Sequence, residues 1–307
     1  MKNSRQEAES WEVEGKKLLL HHLDKVYWPG GESGADPGSK SWTKGDMCKY
    51  YREVASSLLP YLRNRPVTLR VFPEGIHGFN YYRRSMPDQA PDWIQWTPYE
   101  AETRERTLHL PLLQDLASLL WFADKAAIEL HLWGASLPDL SRPDLAIFDL
   151  DVEKGVSPNR VGEAALCLRE LLEEEGREGY VKTSGGDGMH VFVPLDGHQT
   201  FDEVRDWVKS LGGILEKRHP KLMALARGKT HKGDRVTVDY AQNSMGRNTA
   251  APYTLRARPG APVSTPLLWK EVEAGGLVPG DFNIATVPSR LQKMGDPWKG
   301  LGFNAKG

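Results

Sequence analysis

Three acidic residues stand where acids are costly. Asp149 and Asp151 lie one residue apart in AIFDLDVEKG, a run whose Ala146, Ile147, Phe148 and Leu150 read as a buried strand. Side chains two apart on a strand share a face, so the two carboxylates stand side by side and each raises the pKa of the other. Asp239 in RVTVDYAQN has the same apolar setting, beside Val236 and Val238. If the two strands are neighbours, the three acids form one cluster that needs cations to coexist. Oxygen ligands without nearby cysteine favour magnesium or manganese over zinc. Two such ions are a common device for in-line displacement at phosphorus. An acid pair at a strand end can also be plain surface; the apolar flanks favour a site, because burying two unpaired charges is strongly unfavourable.

Other segments supply what a phosphate would need. Thr183-Ser184-Gly185-Gly186-Asp187-Gly188 separates two strand-like runs and leads into Met189-His190. Its glycines let backbone amides approach an anion, Ser184 can donate a hydroxyl and His190 could reach a phosphate; a simple hairpin turn is the alternative. Arg256 and Arg258 in TLRAR are expected on one strand face, suited to a triphosphate or to solvent. His131 in IELHLW reads either as a packed strand histidine or as part of the site. Lys25, Lys44 and Arg70 are scattered basics of the first third. Tyr81-Tyr82-Arg83-Arg84 mixes aromatic and basic residues as base-stacking surfaces do, or forms an amphipathic strand.

The elements that must position these residues are legible from patterning. At 307 residues the chain suits one large domain or two lobes sharing a cleft. Residues 1–18 read as a loose, charged lead-in. Thr43 with Asp46 reads as a variant capping box starting a helix that runs to about Leu62. RPVTLRVFPEG and GFNYYRRS read as strands, LPLLQDLASLLWFADKAA as an apolar helix, and IELHLWGA as a strand. Pro158 opens a helix that Gly176 ends. YVKTSGGDGMHVFVPL reads as strand, turn and strand, and Thr200 with Glu203 caps the next helix. RVTVDYAQN and TAAPYTLRARPG read as strands, and the mixed tail holds one short helix near LLWKEVEAGG. Glycine-turn hairpins among helices point to an α+β fold with antiparallel pairs. The net charge of −1 gives no basic surplus for a nucleic-acid partner, so a polyanion site must be a local patch. No apolar run approaches the roughly 20 residues of a membrane span, and the polar N-terminus lacks a signal peptide's apolar stretch. Cys48 and Cys167 are too few for a disulfide framework or zinc cluster. A cytoplasmic protein is the default.

Taken in order, LDKVYWP, TKGDMCKYY, RPVTLRVFPEG, ELHLWGA, FDLDVEKG, TSGGDGMHVFVPL, VTVDYAQN and APYTLRAR resemble the polymerase domain of bacterial ligase D, of the archaeo-eukaryotic primase superfamily, used in non-homologous end joining. The resemblance runs from about Leu18 to the tail. It implies a primase-like α+β catalytic core, with mixed and antiparallel sheets flanked by helices around a central cleft, as a single primase-polymerase domain over residues 1–307. It implies a nucleotidyltransferase of DNA repair that adds ribo- or deoxyribonucleotides to a DNA 3′-hydroxyl under template direction, using two manganese or magnesium ions. Asp149, Asp151 and Asp239 would be catalytic metal ligands. His131, Ser184, His190, Lys232, Arg256 and Arg258 would bind the nucleotide. Lys25 and Lys44 would hold the 5′-phosphate of a DNA end or gapped duplex, and Tyr81 or Tyr82, with Arg70, would contact DNA. Nucleoside triphosphates are the implied substrates, kinship alone suggests Ku and a DNA ligase as partners, and no membrane is involved. No ligase module accompanies these motifs, so a stand-alone polymerase or a domain of a longer protein is expected. Two positions depart from the pattern: Asp187 stands where the family usually carries lysine, and Lys232 where arginine is common. A haloacid-dehalogenase-type phosphohydrolase with Asp149 as nucleophile is an alternative, but it leaves Asp239, TSGG and TLRAR unexplained. A non-catalytic DNA-end-binding module is another, against which the retained aspartates stand.

Overall fold

The computed structural model describes residues 8–31, 40–100, 107–152, 156–226, 233–278 and 280–300. Strands β1 (Glu9–Val13) and β2 (Lys16–Leu20) form a hairpin. Residues 8–18 are therefore not the loose lead-in that their charge suggests: Val13, Leu18 and Leu20 alternate inward to the core while the charged residues face water. Strand β3 (Val26–Trp28) pairs with β4 (Trp42–Thr43), and α1 (Lys44–Leu62) follows. Its start is the expected reciprocal cap, with Thr43 Oγ1 accepting from the Asp46 amide and the Asp46 carboxylate accepting from the Thr43 amide.

Strands β5 (Val67–Val71), β6 (Tyr81–Arg83), β7 (Trp96–Glu100) and β8 (Thr107–Pro111) come next. Helix α2 (Leu116–Asp124) is shorter than its apolar run suggests. Leu110 and Pro111 belong to β8, and the Asp115 carboxylate caps the helix by accepting from the Ser118 amide. Then follow β9 (Ala127–Trp133), β10 (Leu145–Asp151), α3 (Pro158–Glu174), β11 (Tyr180–Thr183), β12 (Met189–Pro194), α4 (Phe201–Arg218), β13 (Met223–Leu225), β14 (Val236–Asp239), β15 (Asn248–Ala250), α5 (Trp269–Ala274) and α6 (Thr286–Met294). The last helix was not legible in the mixed tail. Two strand readings shorten. After Asp239 the chain turns into a 3₁₀ segment, Tyr240–Asn243, and the Asn243 amide bonds the Ile147 backbone N–H and C=O, both at 2.8 Å, in place of a ladder partner. After Ala250 the chain leaves the sheet, so Arg256 and Arg258 sit on irregular backbone rather than on a common strand face.

Two sheets organise these elements. One has the order β11-β12-β10-β14-β13 and is antiparallel except for the β13–β14 pair; the other, β15-β9-β5-β6, is antiparallel throughout. Helices α3 and α4 pack on β10, and α2 packs on β9 and α1. One apolar cluster joins both sheets, from Leu69, Leu130 and Leu132 to Phe148, Leu150, Val191 and Val238. Strand β10 is buried at every position from Leu145 to Leu150, which locks its register: a one-residue slip would drive the aspartates into the helices and the apolar residues out. Among the described residues no helix is long and apolar enough to cross a membrane.

Two tight features hold the frame. Lys44 is buried, its Nζ 2.8 Å from Asp124 Oδ1 and 2.5 Å from the His21 carbonyl. Burial alone would raise the Asp124 carboxyl; the hydrogen bonds from Lys44 and from the His21 amide hold it below its ordinary value. Gly188 lies flat against β10, and a Cβ there would stand 2.4 Å from the Leu150 carbonyl oxygen. Asp124→Ala strands a buried ammonium and should lower the unfolding free energy in urea titrations by about 3–5 kcal/mol. Because the folded carboxyl titrates below its unfolded value, that gap should be complete above about pH 4 and narrow as the pH falls through the folded pKa. Gly188→Ala should cost about 1–3 kcal/mol by the same measurement, since rigid backbone must give way.

Candidate active site

Strand pairing brings the three acids together. Asp149 and Asp239 are directly opposed in the β10–β14 ladder, with Asp151 two residues on, so all three side chains rise from one face of the sheet. Asp149 is buried and Asp151 exposed. Burial pushes the Asp149 carboxyl up against the opposing pull of Lys182, Gln242 and Arg256. Desolvation in the same crowd, with the charges of Asp149 and Asp239, pushes Asp151 up, although its outer side meets water. Asp149 Oδ1 is buried without a hydrogen-bond donor; His190 Nε2 lies 3.2 Å away but off line. Such an orphaned anionic oxygen, among further carboxylates and no thiolate, fits a hard divalent cation. Among the described residues, however, no three His, Cys, Asp or Glu side chains close on one point as they stand.

Asp149 and Asp151 line a cleft of about 450 Å³ whose lining also includes His131, Ser184, His190, Arg256 and Arg258; Asp239 stands beside it, its Oδ1 accepting from the Ala241 amide at 2.9 Å. The structure thus gathers every nucleotide-pocket residue named from the sequence except Lys232, which lies outside the described residues. The glycine turn serves differently from expectation. The amides of Gly186 and Gly188 donate to Ser184 Oγ, at 3.1 and 3.2 Å, so they are turned inward rather than offered to an anion. What the glycines allow is close packing of arginine. A Cβ on Gly185 would stand 2.5 Å from Arg256 Cγ, and one on Gly186 2.8 Å from Arg258 Cζ. Arg256 donates through Nη1 to the Ser184 carbonyl, and Arg258 Nη1 pairs with Asp187 Oδ2 at 2.9 Å, both side chains half exposed.

Several residues in or behind the cleft escaped the sequence reading. Lys182, fully buried on β11, lies with its Nζ 2.9 Å from His190 Nδ1 and donates to Ser264 Oγ. Burial and Arg256 draw its ammonium well below the usual lysine range, and burial, Lys182 and Arg256 do the same to His190. Glu129 stands two residues before His131 and is 2 % exposed. Burial would raise its carboxyl, but His131, Arg256 and the Ala257 amide hold it well below the ordinary range. Both carry the signal that singled out Asp149, a charge within an apolar strand. Arg84, Arg247 and Gln242 line the cleft itself; their segments carry no such signal.

The DNA-side candidates divide. Tyr82, 55 % exposed, lines the cleft edge-on to His131, with Arg70 over its ring. Arg70 also donates to Asn80. Tyr81 faces an adjoining groove of about 590 Å³ with Arg83 and Arg84 and stacks on Phe79, itself 72 % exposed. Lys25 and Lys44 form a separate group, linked by a backbone hydrogen bond from the Lys44 amide to the Lys25 carbonyl. Lys25 is half-buried against Glu74 and the Pro73 carbonyl. Lys44, the other residue expected at the 5′-phosphate, is paired with Asp124, so a phosphate would compete with that carboxylate for it.

Comparison with known proteins meets this geometry. A family model for the LigD primase-polymerase domain matches residues 43–298. The multifunctional non-homologous end joining protein LigD of Pseudomonas aeruginosa is 33 % identical over 270 residues, covering 86 % of this chain and 31 % of the relative. The bifunctional LigD of Bacillus subtilis is 30 % identical over 283 residues, covering 92 % and 44 %. The chain therefore spans about a third to under a half of these relatives. Among solved structures, the polymerase domain of Mycobacterium tuberculosis ligase D in complex with DNA superposes with a TM-score of 0.82 at 28 % identity, covering 92 % of this chain and 96 % of that one. By the family match and by its archaeo-eukaryotic primase fold, the chain belongs to the LigD primase-polymerase domain family.

Proposed function

We propose that this chain, acting as one polymerase domain, adds ribo- or deoxyribonucleotides to a DNA 3′-hydroxyl under template direction, at gaps or ends with a 5′-phosphate. The observation that carries the reading is one face of a sheet bearing Asp149, Asp151 and Asp239, the first two lining a cleft that also holds Arg256, Arg258, Ser184 and His190. Its setting would be bacterial end joining in the cytoplasm, with Ku and a DNA ligase as partners. The matched relatives bear end-joining names, and the solved neighbour was captured with DNA.

The charge balance of the cleft supports metal dependence. Arg84, Arg247, Arg256 and Arg258 line it together with Asp149, Asp151 and Asp187, so its cations and anions nearly cancel. A nucleoside triphosphate would gain little from that field alone. The three strand aspartates would hold two manganese or magnesium ions, which when bound would acidify the attacking hydroxyl and neutralise the phosphates. The chain's own groups do the rest. Arg256 is held through Nη1 by the Ser184 carbonyl, with its Nε edge in ion-pair range of Glu129, leaving its remaining edge for a phosphate. Ser184 Oγ accepts two amide protons and keeps its own to donate. Tyr82 presents an exposed face for stacking a template base. Lys25, the more exposed of its pair, would meet the 5′-phosphate first. The phosphohydrolase alternative finds no support, since β10 lies between antiparallel neighbours and the matched family is a polymerase one.

Primer extension on a gapped duplex carrying a 5′-phosphate, with manganese and each nucleoside triphosphate, tests the reading. Templated addition is expected, and Asp149→Ala should reduce it to background; extension persisting in that variant would remove Asp149 from the chemistry. Asp187→Lys releases Arg258 and exchanges an anion for a cation at the cleft rim. It should lower the nucleotide KM severalfold, the modest size reflecting a half-exposed pair; an unchanged KM would show that Asp187 and Arg258 lie outside the reach of the phosphates.

A further inference from the structure

Glu129 is a buried carboxylate behind the cleft that the chemistry above does not use. It lies beneath the floor, on β9, with contacts from three separate segments. His131 Nε2 is 2.9 Å from Oε2, and the Ala257 amide donates to Oε1 at 3.0 Å. Arg256 Nε stands 3.3 Å from Oε1 and Arg70 Nη1 3.6 Å from Oε2, as ion pairs rather than formed hydrogen bonds. A carboxylate placed behind a nucleotide site subtracts from the positive field that would attract phosphate. Its retention needs a positional explanation.

The hydrogen-bond inventory gives one. An ionised carboxylate only accepts, so His131 must carry its proton on Nε2. Burial lowers the His131 pKa, which makes the imidazole neutral and leaves Nδ1 as an acceptor. Oε1 meanwhile gathers the Ala257 amide and the Nε edge of the preceding residue, Arg256. That orients the guanidinium from behind while the Ser184 carbonyl holds Nη1. We propose that Glu129 is a positioning residue of the nucleotide cleft: it fixes the Nε2-protonated tautomer of His131 and aligns Arg256, so that the cleft offers the nucleotide an imidazole acceptor beside a guanidinium donor edge. The proposal rests on the nucleotide reading of the cleft. Phosphate oxygens are themselves acceptors, so His131 meets a hydrogen-bond donor of the nucleotide, a sugar hydroxyl or base N–H, and Arg256 meets the phosphate.

The amide of Glu129→Gln cannot serve every partner. Its oxygen stays on the Ala257 amide, which has no alternative to donating, and its NH₂ then faces His131 Nε2. The imidazole answers by moving its proton to Nδ1. Nitrogen-15 histidine correlation spectra of the nucleotide-free protein read this directly, with the resonance identified by its loss in His131→Asn. Wild type should show the Nε2–H tautomer and Glu129→Gln the Nδ1–H tautomer. In primer extension Glu129→Gln should raise the nucleotide KM about tenfold or more, the loss expected for a hydrogen bond turned donor against donor, while kcat stays within a few-fold and the thermal midpoint accounts for neither change. A wild-type His131 found as Nδ1–H or doubly protonated overturns the proposal, even if the variant does not fold. So does a folded variant that keeps both the wild-type tautomer and the wild-type KM. A wild type with the Nε2–H tautomer that neither binds nor incorporates nucleotide refutes the polymerase reading, and with it the ligand assigned to the pair.

Discussion

Repulsion among the three strand carboxylates is the constraint around which the rest of the structure is arranged. Two of them face each other across the β10–β14 ladder and the third follows on the same face. Left in a dry interior, such a group would protonate or drive the strands apart. The buried apolar residues of β10 and β14 hold the register regardless. Strand pairing and the core thus supply the free energy that keeps like charges close, and the raised carboxyl pKa values are the visible cost. Functional sites commonly store strain of this kind.

The surroundings answer that negative charge in layers. Lys182 and His190 stand directly behind Asp149, and Arg256 and Arg258 stand across from it on irregular backbone pressed against the glycine turn. Each arginine has an acidic partner of its own, Glu129 beneath one and Asp187 beside the other. The two partners differ in consequence. Glu129 is buried and can only orient; Asp187 is half in water, so a phosphate could displace it at small cost. One arginine is set in place before a ligand arrives, and the other is exchangeable.

The sequence disclosed the convergence of the acids better than it disclosed the elements that carry them. Asp149, Asp151 and Asp239 were legible because ionised groups in apolar strands are anomalous, and the anomaly survives any error in strand ends. Glu129 and Lys182 carried the same anomaly and were passed over, since each has one charged residue where Asp149 has a visible partner two positions on. Arg256 and Arg258 were found through a mistaken premise. Alternation suggested a strand, but the backbone leaves the sheet after Ala250, and the arginines converge because Gly185 and Gly186 give them room. The hairpin of β1 and β2 was hidden by charge, which marks only the outward half of a two-faced strand. The burial of Lys44 was hidden for a related reason: only the distant Asp124 makes it tolerable. Pairing across 80 residues is not a local property.

The net charge of −1 also takes on meaning once the cleft is seen. A protein that grips duplex through many phosphates needs a broad basic surface, and its affinity then collapses with salt. Here the cations that line the cleft are few and matched closely by acids, and Arg256 and Arg258 each stand against a carboxylate. Such a site has little long-range attraction for a polyanion. It can discriminate at contact, because each charge acts through geometry at short range, where water and salt screen it least. On the proposed function, recognition by this chain would turn on features found at a break or gap rather than on intact duplex: an unpaired template base for Tyr82, a terminal phosphate near Lys25, and a nucleotide whose charge would be met by ions that the chain itself does not supply.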